Sequence, residues 1–420
     1  MTEMSRIHVS NSSGKNAFIS DPRRFCHIRH ALQTIATGSM SMKVIAVDVF
    51  SYNAPFRFAY PSAHLVRLKA DSVILALQCE GGIAGYGESA PRPYVTGETN
   101  VSVRELIRNR FTPLLVGREI SKREDVERIV RHLEQICMEE EITSYRSALG
   151  AVDIALFDAL GKCHGVPVCR FLGPVLRKEL PWSLPVPLLS EEEIRRIYNG
   201  ISRRTFCSLK VLVGRDEEEN LKRLKLIRNL FGKEIEVRVE VNGQWTKDEA
   251  FSNLQKLQRF SIAAVEQPVA KGDIEGMIAI REAFGISVIA DESLCSPEDA
   301  EELLDRGACN ILNIKVSKVG GLLAAYRIAG LAASRGASCL LGAHVGETGI
   351  LTSAALHFLI AAPALTVVEG FSSLLFDESG RIDDLDPAER IGEILSAPGL
   401  GFEPAETILK NLSSTGTEAE

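Results

Sequence analysis

Three acidic residues end three successive strand-like stretches of this 420-residue chain. "EVRVEV" leads to Glu240, "AAVEQP" contains Glu266, and "SVIADES" contains Asp291 with Glu292 beside it. Further along, "NILNIKV" brings Lys315, "SCLLGAH" ends on His344 with Glu347 just beyond, and "LTVVEG" brings Glu369. Carboxylates that converge with no cation between them repel, and their pKa values rise. A hard divalent cation resolves the repulsion, and Mg2+ accepts carboxylate oxygens while keeping positions for water or substrate. Taken singly, each acid is equally at home as a solvated loop residue or beside a lysine. Three at matching strand ends favour the cation. Lys315, two strands on from Glu266, is placed to act as a base, and burial near a dication would depress its pKa toward neutrality. A structural ion pair with Asp291 or Glu292 is the competing role, and both can hold together. His344 reads as a satisfied strand-end histidine with a minor role.

These residues need a scaffold that brings strand ends together. From residue 174 on, eight short apolar strands alternate with amphipathic stretches: "LPWSLPVP", "SLKVLV", "EVRVEV", "AAVEQP", "SVIADE", "NILNIKV", "SCLLGAH" and "LTVVEG". Eight β/α repeats argue for a closed barrel, whose C-terminal strand ends share one mouth. A doubly wound open sheet would show fewer strands and a glycine-rich first turn, and neither is present. Ahead of the barrel, "KVIAVDVFSY", "HLVRLKADSVILALQC" and "IAGYGES" read as strands, with "EGG" as a hairpin turn. Helical stretches follow around 99–110, 121–138 and 144–164, so this part is a sheet-plus-helices unit.

Composition narrows the partners. The net charge is −7 with both signs interspersed and no basic block, which argues against nucleic acid and anionic membranes. Nine scattered cysteines without CxxC spacing read as reduced thiols in a cytoplasmic protein. Residues 1–41 lack the apolar core of a secretory signal. They read as a disordered tail or an upstream-start extension, with a functional start at Met40 or Met42. "GILTSAALHFLIAAPALTVV" is uncharged and long enough to span a membrane. Pro363 and His357 interrupt it, so a buried helix followed by a buried strand is expected.

With these residues in hand, the sequence resembles the enolase superfamily, in particular its muconate lactonizing enzyme (mandelate racemase/muconate cycloisomerase-like) subgroup. "GYGESAPRPYVTGET" is similar to the capping-domain signature and "ALGAVDIALFDALGKCHGVPVCRFLG" to the helix entering the barrel. "VEVNGQWT", "VEQPV", "ADES" and "NIKVSKVGGL" fall in the family order. The resemblance implies an α+β capping domain over 42–165, closing on a (β/α)7β barrel over 166–375. Residues 376–420 would return to the cap and end in disorder. It also implies an essential Mg2+, with Mn2+ as a substitute, and a small carboxylate substrate whose α-proton is removed to give a metal-stabilised enolate. Carried over, Glu240, Glu266 and Asp291 are the metal ligands, and Asn242 and Glu292 support them. Lys315 is an acid/base on one face, Glu347 contacts the substrate, and a homo-oligomer is expected.

Three departures from the family pattern stand out. The subgroup carries a Lys-x-Lys motif on the second barrel strand, and its second lysine is the base on the opposite face. In "SLKVLVG" the valine–glycine alignment puts Lys210 at the first lysine and Leu212 at the second. Sliding the register by two would make Lys210 the second lysine, but it displaces Gly214 and the helix start. Glu240 stands where the family usually has Asp. The last strand runs on into Phe371, Ser372 and Ser373 rather than the Asp-x-Asp that holds a dipeptide ammonium, which argues against a substrate with a free amine. Two-base racemisation therefore lacks one base. One-base isomerisation or cycloisomerisation leads, with Lys210 helping to neutralise the substrate carboxylate. A lyase using Lys315 is the runner-up, and a barrel that has lost catalysis and serves as a scaffold is the third reading. Phe56, Phe58 and Tyr60, in a loop, suggest a partly apolar distal pocket.

Overall fold

The structure is a computed structural model that describes residues 40–62, 65–177, 181–198, 206–369, 376, 391–392 and 394–404. Nearly all of the N-terminal stretch 1–41, the last-strand extension with Phe371, and most of 376–420 lie outside the described residues.

The chain enters through β1 (Met42–Tyr52), then a hairpin of β2 (Pro55–Pro61) and β3 (Val66–Lys69). β4 (Ser72–Cys79), β5 (Ala84–Ser89) and the two-residue β6 (Glu119–Ile120) follow. The main sheet has the order β5-β4-β1-β6 and the β2–β3 hairpin is separate. This corrects two sequence readings. "PFRFAYP" is a strand rather than a loop, and "HLVRLKADSVILALQC" breaks into two strands at Ala70–Asp71. The alternation in "VRLK" fits a strand, but Val66 and Leu68 are 58% and 65% exposed, so the strand that pairs with β2 does not turn them into the core. β4 is buried on nearly every residue because both of its faces are covered.

The helix Arg146–His164 lies against β5 and is buried continuously from Ser147 to Gly161. Glycine makes the approach feasible: a Cβ at Gly87 would sit 1.9 Å from the Ala151 carbonyl oxygen. Added bulk there would push the helix off the sheet.

Eight parallel strands close the barrel: β7 (Trp182–Val186), β8 (Ser208–Leu212), β9 (Glu236–Glu240), β10 (Ala264–Glu266), β11 (Ser287–Ala290), β12 (Ile311–Ile314), β13 (Ser338–Leu341) and β14 (Leu365–Glu369). A helical crossover joins each strand to the next, giving the (β/α)7β arrangement. The uncharged run after Gly349 is a wholly buried helix, Gly349–Ala361, followed by β14. Among the described residues no helix is long and apolar enough to cross a membrane.

Alternation sorts the barrel side chains into two environments. Val211, Val237, Val239, Val265, Val288, Leu312 and Leu341 face outward and join the main core with the helices. The interior is divided. Ala264, Ile289 and Leu340 form a small apolar cluster on one side. On the other, Arg238 donates to Ser183 Oγ at 2.7 Å and pairs with Glu369 at 2.5 Å, and Lys210 reaches Glu369 at 2.7 Å.

Candidate active site

The parallel register sets the layer in which each acid stands. Leu212 of β8 pairs with Glu240 of β9, and Glu240 pairs with Glu266 of β10. Asp291 is the first residue beyond β11. One carboxylate oxygen from each of Glu240, Glu266 and Asp291 lies within 4.8 Å of the others, and all three residues are buried. Among the described residues, Glu266 Oε2 and Glu292 Oε2 are buried and have no hydrogen-bond donor. Leaving such oxygens unpaired in a dry site is costly, and oxygen donors converging at this spacing suit a hard divalent cation. Burial pushes Glu240 up to about 7, aided by Glu292 and Asp291 and opposed by Lys210. Burial and then Glu240 hold Glu266 well above the usual carboxylate range. Asp291 goes the other way: burial opposes its ionisation, but the Lys315 and Lys318 ammonium groups outweigh it and hold it well below that range.

Lys315 follows β12 and its Nζ lies 2.6 Å from Asp291 Oδ2. Two opposed effects act on its pKa. Burial lowers it, but the Asp291 carboxylate in contact overcomes burial and holds the ammonium above its usual value. The ion pair considered as a competing role is the one formed.

Lys210 stands one layer deeper than the acids, level with Arg238. Its Nζ spans Glu369 at 2.7 Å, Glu240 at 3.3 Å and Glu266 at 3.8 Å. Burial disfavours its charge, yet Glu266, Glu369 and Glu240 together keep it firmly protonated. Leu212, 4% exposed, occupies the carboxylate layer itself. An aliphatic side chain there cannot carry a proton.

The loops beyond the strands lock these residues. Asn242 adopts φ +53°; its backbone N–H donates to Glu240 Oε1 at 2.9 Å and its Nδ2 to Glu292 Oε1 at 3.2 Å. Burial and the adjacent Asp291 raise Glu292 to about 7. Gln267 Oε1 accepts the backbone N–H groups of Asp291 and Ser293, tying the β10 end to the β11 end. After β13, Glu347 accepts the His344 backbone N–H at 2.6 Å, and burial pushes its carboxyl up to about 8. His344 is 5% exposed, with Nδ1 bonded to the Ala90 carbonyl of the cap at 2.9 Å. Burial, then Arg92, keep its ring neutral. Phe371 lies outside the described residues.

Tyr60 comes from β2 rather than from a loop, and its phenol is pushed up to about 12, first by burial, with Lys210, Glu369, Glu240 and Lys315 acting on it.

Several residues of this site were missed in the sequence. Glu369 appears there only as a strand end. Arg238 shares a strand face with Glu240 by the alternation in "EVRVE", a signal that could have found it. Lys318 sits inside a motif already quoted, and Asn313 donates from β12 to Glu266 Oε1 at 2.5 Å. Asn313 shares its strand face with Lys315 by the same alternation, whereas Lys318, in the helix after the strand, has no such signal.

Residues 41–173 match the mandelate racemase / muconate lactonizing enzyme N-terminal domain, and residues 192–408 match the enolase C-terminal domain-like family. The chain is 30% identical over 351 residues to the L-Ala-D/L-Glu epimerase of Clostridium acetobutylicum, over 83% of this chain and 94% of that one. It is 27% identical over 368 residues to muconate cycloisomerase 1 of Rhodococcus opacus, over 86% of this chain and 96% of that one. The crystal structure of a dipeptide epimerase from Enterococcus faecalis V583, complexed with Mg and the dipeptide L-Leu-L-Tyr, matches with a TM-score of 0.76 at 26% identity. That match covers 86% of this chain and 99% of the other. With both domains matched and the acids gathered at one barrel mouth, the chain belongs to the mandelate racemase / muconate lactonizing enzyme family of the enolase superfamily, and is an enzyme of the isomerase kind to which these relatives belong.

Proposed function

We propose that this enzyme binds Mg2+ through Glu240, Glu266 and Asp291 and removes the α-proton of a small carboxylate substrate from one face, with Lys315 as base. The observation that carries this reading is the asymmetry of the carboxylate layer, which has a lysine at its Asp291 edge and Leu212 at its Glu240 edge. When bound, the cation supplies positive charge against the substrate carboxylate oxygens and neutralises Asp291, the group that keeps Lys315 protonated. Lys315 Nζ then takes the α-proton and holds it for return. Lys210 stays charged beneath the site as counterion to Glu240, Glu266 and Glu369. Asn242 and Gln267 hold the loops bearing Glu240, Glu292 and Asp291, and Glu347 is the proposed substrate contact. Mn2+ is the proposed substitute metal.

One base on one face suits a cycloisomerisation of the muconate lactonizing type, or an exchange that retains configuration. Epimerisation of the two-base kind has no proton carrier at 212. The same asymmetry also suits a lyase that eliminates a leaving group on the Lys315 face, and this is the second reading. The converged, buried acids weigh against a lapsed scaffold, since gathering carboxyls whose pKa values burial and mutual repulsion raise is costly without a ligand.

The test is calorimetric titration of Mg2+ into the full-length protein, with Glu266→Gln beside it. Binding in the micromolar to low millimolar range that Glu266→Gln loses is expected. A folded wild-type protein that takes no Mg2+ overturns the reading. Carboxylates, including N-succinyl amino acids and dipeptides, are then screened in D2O by NMR for α-proton exchange and by chromatography for cyclised or dehydrated product.

A further inference from the structure

We infer that Lys318 is the positioning residue that sets Asp291 and Glu266 for cation binding, an inference that rests on the cation-dependent reading above. Lys318 is completely buried, a rare state for a lysine. It lies on the one-turn helix Val316–Val319, directly after Lys315. Its ammonium has three protons to give, and three acceptors surround it. These are Asp291 Oδ1 at 2.6 Å, the Asp291 carbonyl oxygen at 2.5 Å and the Asn313 carbonyl oxygen at 3.1 Å. Turning the ammonium away would leave a buried acceptor unpaired, so the group is fixed.

The brace continues across the barrel. Asn313, whose carbonyl Lys318 holds, donates from its side chain to Glu266 Oε1 at 2.5 Å. Space for that side chain comes from Gly342, where a Cβ would lie 2.3 Å from Asn313 Oδ1. One path thus runs from Asp291 through Lys318 and Asn313 to Glu266, linking two of the three proposed ligands. The two lysines also divide the Asp291 carboxylate between them. Lys318 takes Oδ1 from the fully buried side, whereas Lys315 takes Oδ2 from the side that retains 12% exposure. The buried lysine orients the carboxylate, leaving the other edge for the chemistry.

Charge and position make opposite predictions here. If Lys318 were only a nearby positive charge, its removal would relieve repulsion and tighten cation binding. If it orients ligands, its removal loosens binding despite that relief. A residue that only fills the core would change stability and leave the affinity alone.

The experiment is Mg2+ titration of the full chain by calorimetry, with thermal unfolding in chelator alongside. We compare wild type, Lys318→Met, and Asn313→Ser, which cuts the link to Glu266 without changing charge. At least tenfold weaker Mg2+ binding is expected for Lys318→Met, and several-fold weaker binding for Asn313→Ser. Equal or tighter binding by a folded Lys318→Met overturns the inference while leaving the wild-type reading intact. Should Lys318→Met fail to fold, Asn313→Ser decides, and an unchanged Kd overturns the positioning role. Absence of Mg2+ binding by wild type overturns both readings together.

Discussion

The two edges of the carboxylate layer are built on different plans. At the Asp291 edge, one acid meets two lysines, Lys315 and Lys318, and is held strongly ionised. At the Glu240 edge, one lysine serves three acids, Glu240, Glu266 and Glu369, and Leu212 fills the place level with Glu240. The first edge sets two lysines against one strongly ionised acid, with one of the lysines at the mouth. The second has more acids than cations, even with Arg238 on Glu369, and its lysine stays a layer below. A cation would sit between an edge that repels it and an edge that attracts it, so Glu240 and Glu266 supply most of the electrostatic pull. In the proposed reading, proton transfer belongs to the Lys315 edge.

The largest expected effect tests that assignment. Lys315→Ala should lower turnover at least a thousand-fold on whichever carboxylate the D2O screen identifies, within the usual range for losing an acid/base group. Calorimetry should show Mg2+ binding retained, and a loss of binding instead would make Lys315 structural. Next comes Lys210→Met, which strands the acids of the opposite edge. Removing one partner of a buried ion cluster costs about 3–5 kcal/mol, to be read from urea unfolding in chelator. A loss below about 1 kcal/mol, the range of an exposed pair, would show that the acids neutralise themselves by protonation.

A pH series separates the edges by sign. Glu240 rises from 4.5 to about 7, so the folded protein binds its proton more tightly than the unfolded chain does. Its contribution is complete below the unfolded value and is lost as pH rises through about 7. Each tenfold gain in proton affinity is worth roughly 1.4 kcal/mol, which makes this contribution on the order of 3 kcal/mol. Asp291 is depressed, so its contribution is present above the unfolded value and is lost as pH falls. In metal-free unfolding, Glu240→Gln should flatten the decline between about pH 4.5 and 7, and Asp291→Asn the acid limb. Both variants flattening the same limb would mean that the edges titrate as one group. The smallest expected signal is from Leu212→Lys, which should add slow deuterium exchange on the face opposite Lys315. Unchanged stereochemistry would remove the equivalence of position 212 with the missing base.

Much of this architecture is legible in the sequence. Eight apolar runs, six of them leading to a charged or histidine residue, identify the barrel and the acids at its mouth, because strand parity and strand ends are local properties. The same parity marks Arg238 as a neighbour of Glu240, although its partners Ser183 and Glu369 come from strands far away in sequence. Whether Lys315 meets Asp291 or Glu292 stayed open because the sequence carries no distance to either. The β2–β3 hairpin was misread because alternation does not say which strand a segment pairs with.

By itself the sequence determined the strand periodicity, the order of the acids and the aliphatic residue at 212, since each depends on residue type and spacing along one chain. Tertiary structure decided which charges meet. Lys315 and Lys318 lie three apart and look alike in the sequence, yet one reaches the mouth and the other is wholly buried beneath Asp291. Electrostatic energy depends on distance and on burial, and both are fixed only when the barrel closes and brings remote strands side by side.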